Sequence, residues 1–187
     1  MDKVIVFDIW GDYAHFRKIY TTTSPLTYSF PPRTALAGLI SAIIGIDKNE
    51  YLYYFSKDKA FIALKIISPI KKVRIGENLV DTKPNNSIKM HLIKNRTQIR
   101  YELVKNPDYR IYFWHSDSKI YNNFNEFIKH HKCVYTPCLG LSGLLCNFKY
   151  VGEYIIEGPI RTDKEAEISS CIPVILIKKL NFEIEKE

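Results

Sequence analysis

The sequence predicts an α+β fold with a ferredoxin-like βαββαβ core, an inserted basic β-hairpin and additional C-terminal strands. One observation is the order of its periodic segments, which reads strand, helix, two strands, strand, helix, strand. The other is a long basic stretch between the middle strands, which the core pattern does not need. A chain of 187 residues is long enough to bury a core around such a sheet.

The first part of the chain contains a strand, a loop and a helix. Residues 3–10 (KVIVFDIW) are β-branched and aromatic, which is typical of a strand. Residues 11–33 form a loop, and a loop of this length inside a compact domain is usually functional. A helix over about 33–46 follows, closed by Gly45, and a short helical turn lies within 48–56.

The helix over 33–46 carries no charge after Arg33. Its helical spacing gives one apolar face, formed by Leu36, Leu39, Ile40 and Ile43. A second stripe consists of small residues, namely Thr34, Gly38, Ser41 and Gly45. Since surface helices normally turn charged side chains to water, this stripe is expected to be covered. The cover is a partner protein or, as we favour, a second layer of the same chain.

The second part of the chain alternates strands with one more helix. The helix is amphipathic and spans about 118–131. Turns are predicted at 76–78 and 106–109, a loop tip at 82–87 and a Gly-rich turn at 139–143. The predicted strands are 59–67, 70–79, 88–104, 110–114, 147–157 and 171–180.

The net charge of +7 is concentrated in one segment. Residues 57–110 contain 13 Lys and Arg against five Asp and Glu, whereas the rest of the chain holds 14 basic and 15 acidic residues. A localised positive segment suits a polyanion, and nucleic acid is the most plausible one. An ordinary solvated basic face remains the alternative.

The four cysteines do not have the spacing of a metal or redox site. Cys133, Cys138, Cys146 and Cys171 form neither paired C-x2-C motifs nor a redox pair. We therefore expect reduced thiols, with no metal and no cofactor. No apolar run reaches the roughly 18 residues of a membrane span, and the first residues do not resemble a signal peptide. The expectation is a cytoplasmic protein without a membrane partner or small-molecule substrate.

Two groups of residues have the chemistry of single-stranded RNA binding, in which cations hold phosphates and aromatic rings stack on bases. Strand alternation sends the first group, Lys94, Arg96, Gln98 and Arg100, to one side, close to Tyr101. The second group lies in the first loop and comprises Tyr13, His15, Arg17 and Tyr20. Arg33, beside the amide groups at the helix start, is a further candidate for a phosphate.

Four segments in a fixed order resemble a known family. They are FDIWGDYAHFRK, YSFPPRTALAGLISAIIG, RTQIRYELVKNPDYRIYF and YTPCLGLSGLLCNFKYVGEY. Together, over about residues 3–157, they resemble the fifth CRISPR-associated protein family in its type I-B-like form, within the RAMP superfamily. The resemblance implies an RRM-like, ferredoxin-type fold.

The resemblance also implies a function. Members of the family cap the 5′ handle of crRNA in the Cascade surveillance complex, and contact its backbone subunit and its large subunit. The β-hairpin that serves as their thumb falls on about residues 84–108, with Lys94, Arg96, Gln98, Arg100 and Tyr101. Their Gly-rich loop falls on Gly140–Gly143, which adds Gly140 and Gly143 to the RNA-binding candidates.

The resemblance divides the chain into two parts. Residues 1–135 correspond to the RRM-like RAMP domain, which includes the basic hairpin. Residues 136–187 correspond to the Gly-rich loop and a short C-terminal β segment. Many members continue with further strands, so the second part is either incomplete or a short variant.

Two alternatives to a non-catalytic Cascade subunit stay open. Some members cleave precursor crRNA without metal, which needs a general base and a general acid at one phosphate. Tyr51 or Tyr53, Lys89 and His91 are the candidates for such a metal-independent endoribonuclease. The other alternative is a free-standing RNA-binding module. The uncharged helix argues against it, because an isolated module should not leave a small-residue stripe uncovered.

Overall fold

The computed structural model describes residues 3–80, 96–156 and 168–172. These residues form an α+β fold with antiparallel sheets and few helices, as predicted. The strands are β1 (Lys3–Trp10), β2 (Tyr13–Ala14), β3 (Ala60–Ile66), β4 (Lys71–Val80), β5 (Arg96–Lys105), β6 (Asp108–His115) and β7 (Asn147–Ile155). The helices are α1 (Arg33–Ile44), α2 (Tyr51–Tyr54) and α3 (Ser118–Lys129).

The larger sheet has four strands in the order β3-β6-β1-β7, and every neighbouring pair is antiparallel. The helices α1 and α3 contact each other, and α3 also contacts β6 and β7. Alternation along β1 and β6 buries every second residue in the core. At its centre Phe7, Phe113 and Phe124 pack edge to face, with ring centroids 5.1 and 5.0 Å apart.

The second sheet has the order β2-β5-β4 and grows out of the first. β3 leads into β4 and β5 leads into β6, so the β4–β5 hairpin extends the β3–β6 pair. Between the β3–β6 ladder and the β4–β5 ladder, four residues (67–70) connect β3 to β4. Only three residues (106–108) lie between the paired positions on the other strand. One extra residue on one strand bends a ladder, which re-aims the hairpin relative to the main sheet.

The helix α1 confirms its predicted apolar face. Leu36, Leu39, Ile40 and Ile43 are buried, and Gly45 ends the helix with a φ of 81°, a conformation that glycine adopts without strain. The small-residue stripe is covered in part by the same chain. The Tyr51 ring lies 4.0 Å from where a Cβ of Gly38 would stand, and Val134 contacts Gly45.

Several predicted boundaries differ from the structure. The pair β2 lies inside the predicted first loop, because two residues suffice to extend the ladder at Lys105 and Val104. β4 runs straight through Gly76, where a turn was expected, since its ladder continues to Val80. The predicted loop tip 82–87 and most of the predicted strand 171–180 lie outside the described residues. Residue Cys171 donates its backbone N–H to Leu64, beside β3.

The face of the main sheet opposite the helices carries an ion pair. The Arg110 guanidinium donates to both carboxylate oxygens of Asp8 across β1 and β6, at 2.8 and 2.9 Å. Such a two-pronged contact fixes both side chains. Arg110 therefore belongs to the fold, although the sequence counts it among the basic residues of the middle segment.

Candidate nucleic-acid interface

The hairpin presents a row of cations and an amide on one face of β5. The β4–β5 register is uninterrupted from Lys71↔Lys105 to Val80↔Arg96, so alternate residues share a face. Arg96, Gln98 and Arg100 are exposed on the same face, as the alternation predicts. Lys94 of the predicted row lies outside the described residues.

The partner strand β4 adds two cations to this face. Arg74 pairs with Glu102 and Lys72 pairs with Val104 in the ladder, which places both on the side of Arg100. The Lys72 ammonium and the Arg74 guanidinium lie 3.2 and 3.9 Å from the Glu102 carboxylate. The single carboxylate thereby offsets one of the two positive charges near the hairpin base.

These neighbours change the pKa of the Glu102 carboxyl group. Burial alone would raise its pKa, but the hydrogen bonds from Lys72 and from the Thr27 N–H, with the charges of Lys72 and Arg74, outweigh it. The net result is a pKa below the usual range of a glutamate. Glu102 is therefore ionised at neutral pH and acts as the counter-ion at the hairpin base.

A polar pocket of 420 Å³ lies between the first loop and the hairpin. Thr23 and Ser24 line it from the loop, and Gly76, Gln98 and Arg100 line it from the hairpin. Two hydroxyls, an amide and a guanidinium are hydrogen-bond donors of the kind that hold a phosphate. The pocket thus joins the two segments that the sequence proposed separately.

The exposed part of the first loop combines rings with cations. Arg17 is exposed and donates to the Thr21 carbonyl at 2.8 Å, and Tyr20 is 69% exposed. The Lys18 ammonium lies 5.8 Å from the ring centroids of Tyr20 and of Tyr28. These groups stand where bases and phosphates of a single strand have access.

Three other candidates support the fold instead. His15 is 2% exposed, its Nδ1–H donates to the Glu102 carbonyl at 2.8 Å, and its ring packs edge to face on Tyr101. Tyr101 is half-buried on the face of β5 opposite Arg100. Tyr13 pairs with Lys105 in the ladder of β2 and is also half-buried. The loop folds back on the hairpin, which is why His15 is not exposed for direct contact.

Arg33 also forms hydrogen bonds within the chain. Its Nη2 group donates to the carbonyl oxygens of Phe55, Ser56 and Ala60 at 2.9, 3.1 and 2.9 Å. Partial burial lowers the pKa of the guanidinium. Arg33 thus ties the start of α1 to the segment between α2 and β3 instead of pointing to a ligand at the helix N-terminus.

The two glycines of the Gly-rich loop have different surroundings. Gly140 has a φ of 99°, and a Cβ there would collide with the His15 carbonyl, so only glycine allows this close approach. Gly143 is exposed with open space around it. The loop is therefore pinned at Gly140 and accessible at Gly143.

Of the residues of the endoribonuclease alternative, the structure describes the tyrosines only. Tyr51 is half-buried beside Gly38, whereas Lys89 and His91 lie outside the described residues. Within residues 3–80, 96–156 and 168–172, no three His, Cys, Asp or Glu side chains are grouped to hold a metal ion. No helix in these same ranges is long and apolar enough to cross a membrane.

Sequence reasoning missed several groups at the interface. Lys72 and Arg74 follow the same alternation as Arg100, so period-two spacing in 70–79 was a usable signal. The roles of Ser24 and Tyr28 had no comparable signal. Their positions depend on where the loop folds against β5, which local pattern does not determine.

One protein-family model matches more than half of the chain. The family model described as CRISPR-associated protein (Cas_Cas5) matches residues 4–130. A search of curated protein sequences gave no match.

One solved structure shares the fold at low sequence identity, and two further structures are similar to a lesser degree. A chain of a CRISPR RNA-guided surveillance complex is 11% identical with a TM-score of 0.57, over 76% of this chain and 59% of that one. A CRISPR-associated protein is 17% identical with a TM-score of 0.47, over 80% and 66%. A functionally uncharacterized protein from Streptococcus mutans is 15% identical with a TM-score of 0.48, over 80% and 66%. The chain thus spans 59–66% of the length of these structures.

Proposed function

Because this chain belongs to the CRISPR-associated Cas5 family, a RAMP family, we propose that it is a crRNA-binding subunit of a type I Cascade complex. In this proposal the protein caps the 5′ handle of the crRNA without cleaving it. It contacts the backbone subunit and the large subunit of the complex.

The observation that carries the proposal is the polar pocket between the first loop and the hairpin. Arg100 and Gln98 meet the hydroxyls of Thr23 and Ser24 there, and Arg96 continues the row along β5. A groove that combines cations with hydroxyl and amide donors suits a phosphate backbone. The exposed rings of Tyr20 and Tyr28 beside Lys18 are suited to stack on bases.

We further propose that the four-stranded sheet is a ferredoxin-like, RRM-like unit with the hairpin as its thumb. The support is the strand order β3-β6-β1-β7, in which β1 and β3 flank β6 and run parallel to each other. α1 connects those two strands, and α3 connects β6 to β7. Two such interleaved βαβ units make the βαββαβ pattern.

The division into residues 1–135 and 136–187 remains a prediction. β7 pairs along the whole of β1, so residues 147–155 complete the sheet of the first part. We therefore propose a functional division, in which the second part supplies the Gly-rich loop and the edge strand to one folded unit.

The proposal that this chain contacts neighbouring subunits is supported by apolar side chains that are exposed to solvent. Ile19 is 92% exposed, Tyr53 69% and Leu145 62%. Exposed apolar groups that cluster on a small protein commonly mark protein interfaces. We propose that the first loop, α2 and the Gly-rich loop supply such contacts.

The direct test is affinity purification of the tagged chain from cells that contain a CRISPR locus, followed by sequencing of the bound RNA. We expect crRNAs that share one 5′ end, together with other Cascade subunits. An Arg96→Ala/Arg100→Ala variant should recover the subunits with less RNA. Recovery of unrelated RNAs without other subunits would instead support a free-standing RNA-binding module.

The non-catalytic part of the proposal has its own test. The purified protein, incubated with a precursor repeat RNA, should leave that RNA intact at the 5′ boundary of the handle. A product at that boundary that disappears in a His91→Ala variant would establish the endoribonuclease alternative.

A further inference from the structure

A second pocket, of 540 Å³, lies over the small-residue stripe of α1. Gly38, Ser41 and Ala42 form its floor, Tyr51 of α2 lines it on one side, and Tyr135 after α3 also lines it. The backbone N–H groups of Val134 and Tyr135 donate to Ile43 and Ala42 at 3.0 and 2.9 Å, which fixes this segment against the helix. The volume is within the range of about 300–1,000 Å³ that small-molecule sites occupy.

The floor of this pocket holds a polar group without a partner. Ser41 is 3% exposed, and its hydroxyl oxygen has no hydrogen-bond partner among the residues that the structure describes. A buried hydroxyl usually finds a partner, and leaving it unpaired is unfavourable. In many helices a serine bonds back to its own helix, which this one does not. A ligand with a hydrogen-bonding edge would supply the missing partner.

The walls of the pocket specify the shape and chemistry of such a ligand. Tyr51 and Tyr135 offer aromatic rings, and Thr34 and Thr136 offer further hydroxyls. Among the described lining residues, Asp47 and Lys48 are the charged ones. A flat, uncharged ring with a polar edge matches this combination better than a phosphate or an ion does.

We propose that this pocket takes one unstacked nucleobase of a single-stranded RNA, an inference that rests on the proposed RNA-binding function. Single-stranded RNA is read by splaying bases out, stacking them on aromatic side chains and hydrogen-bonding their edges. The pocket is next to the proposed RNA path, because Phe16 of the first loop and Gly140 of the Gly-rich loop both line it. The same loop supplies Thr23 and Ser24 to the polar pocket.

The test uses a short oligouridine RNA with one photoreactive 4-thiouridine, placed at each position in turn. We expect one position to crosslink to Tyr51 or Tyr135, as mapped by mass spectrometry. Ser41→Ala should weaken binding of the same RNA about three- to tenfold, which corresponds to the loss of one hydrogen bond. Serine to alanine removes only the hydroxyl, so the fold is retained.

A second variant fills the pocket. A Cβ at Gly38 meets the Tyr51 ring at 4.0 Å, an ordinary contact, and leucine is the better helix former, so Gly38→Leu should fold. It should abolish the crosslink to Tyr51 and Tyr135 and leave crosslinks to the hairpin. Ala63→Leu, on the exposed part of β3, is the matched control and should change neither.

The outcomes separate this inference from the proposed function. RNA that binds through Arg96 and Arg100, yet never crosslinks to the pocket and ignores Ser41→Ala, would overturn the nucleobase pocket alone. RNA that does not bind at all would overturn both. If Gly38→Leu leaves every RNA crosslink but prevents recovery of another Cascade subunit, the pocket takes a protein side chain and the inference is wrong.

Discussion

The Lys72 ammonium lies 3.2 Å from the Glu102 carboxylate and donates to the Thr27 carbonyl at 2.9 Å. These contacts join β4, β5 and the first loop at the base of the hairpin. Farther along the same face, Arg100 and Gln98 stand opposite Gly76 and Asn78 in the ladder, and neither of these two is acidic. The Glu102 carboxylate therefore offsets one of the two positive charges at the base of the hairpin, whereas Arg100 has no acidic ladder partner, and a positive face of this kind suits a phosphate backbone.

The first prediction concerns this anchor. Glu102→Gln removes the counter-ion of Lys72 and Arg74, and we expect the protein to lose about 1–3 kcal/mol of unfolding free energy. Affinity for RNA at low salt should hold or rise, because the face gains net positive charge. Thermal unfolding and RNA titration measure the two effects. Glu77→Gln, an exposed acid on the opposite face, is the matched control and should change stability little.

The second prediction gives the pH dependence of the same group. The pKa of Glu102 is lowered in the folded protein, so the stability it supplies is present above its unfolded pKa of about 4.3. That stability is lost as the pH falls through the lower folded value. The melting temperature of the wild type should therefore fall more between about pH 5 and pH 3 than that of Glu102→Gln. Parallel curves for the two proteins would contradict the assignment.

The fold was predictable from sequence where a helix or a strand shows a clear hydrophobic periodicity. The apolar spacing of Leu36, Leu39, Ile40 and Ile43 identified α1, and alternation identified the strand that contains most of β5. The pair β2 was not predictable, because two residues carry no period and the strand exists only through pairing with β5. Gly76 was misread as a turn, because the sequence does not show that the Gln98 side chain lies over this glycine, 3.5 Å from where its Cβ would stand.

The third prediction tests the cation row through the salt dependence of RNA binding. For a single strand, the slope of log K against log salt changes by about 0.7 for each phosphate contact. If Arg96 and Arg100 each hold one phosphate, the Arg96→Ala/Arg100→Ala double variant should have a slope shallower by about 1.4. Filter binding or fluorescence anisotropy over a salt series measures it.

The hairpin offers a matched control for that measurement. Lys71 and Lys105 pair with each other on the opposite face and are both exposed. Lys71→Ala/Lys105→Ala removes the same charge without touching the proposed RNA path. An equal flattening of the slope in both double variants would mean that the whole hairpin attracts RNA non-specifically, and that the row on β5 has no special role.

The candidate site was predictable only in part, for a physical reason. Alternation places Arg96, Gln98 and Arg100 on one face, since a strand has a fixed period of two. His15 and Tyr101 were expected near RNA because their residue types suit it. Whether a ring is exposed depends on what the first loop packs against, and here the two rings pack on each other.

The fourth prediction concerns the core beneath α1. Ile40 is fully buried, and Ile40→Ala should lower the unfolding free energy by about 2–5 kcal/mol, as large-to-small changes in a packed core do. Chemical denaturation measures this. Asn122→Ala, an exposed position on α3, is the control and should stay within about 0.5 kcal/mol of the wild type. A small loss at Ile40 would mean that α1 is not packed in the core as described.

The fifth prediction uses cysteines that differ in burial. Burial raises the pKa of the Cys146 thiol to about 12, with a further contribution from Cys138, whereas Cys133 is exposed. Because the thiolate is the reactive form, iodoacetamide at about pH 8 should modify Cys133 and leave Cys146 unmodified in the folded protein. Mass spectrometry of the digested protein resolves the two sites.

The same reaction reports on opening of the fold. Cys146 becomes reactive only when its surroundings open, so Ile40→Ala should accelerate its alkylation by the factor that its lost stability implies, while Cys133 keeps its rate. Denaturant should equalise the two thiols. If Cys146 in the folded wild type reacts as fast as Cys133, the turn from Pro137 to Cys146 is not packed as the structure has it. The Gly-rich loop would then not be held rigidly beside the proposed RNA path.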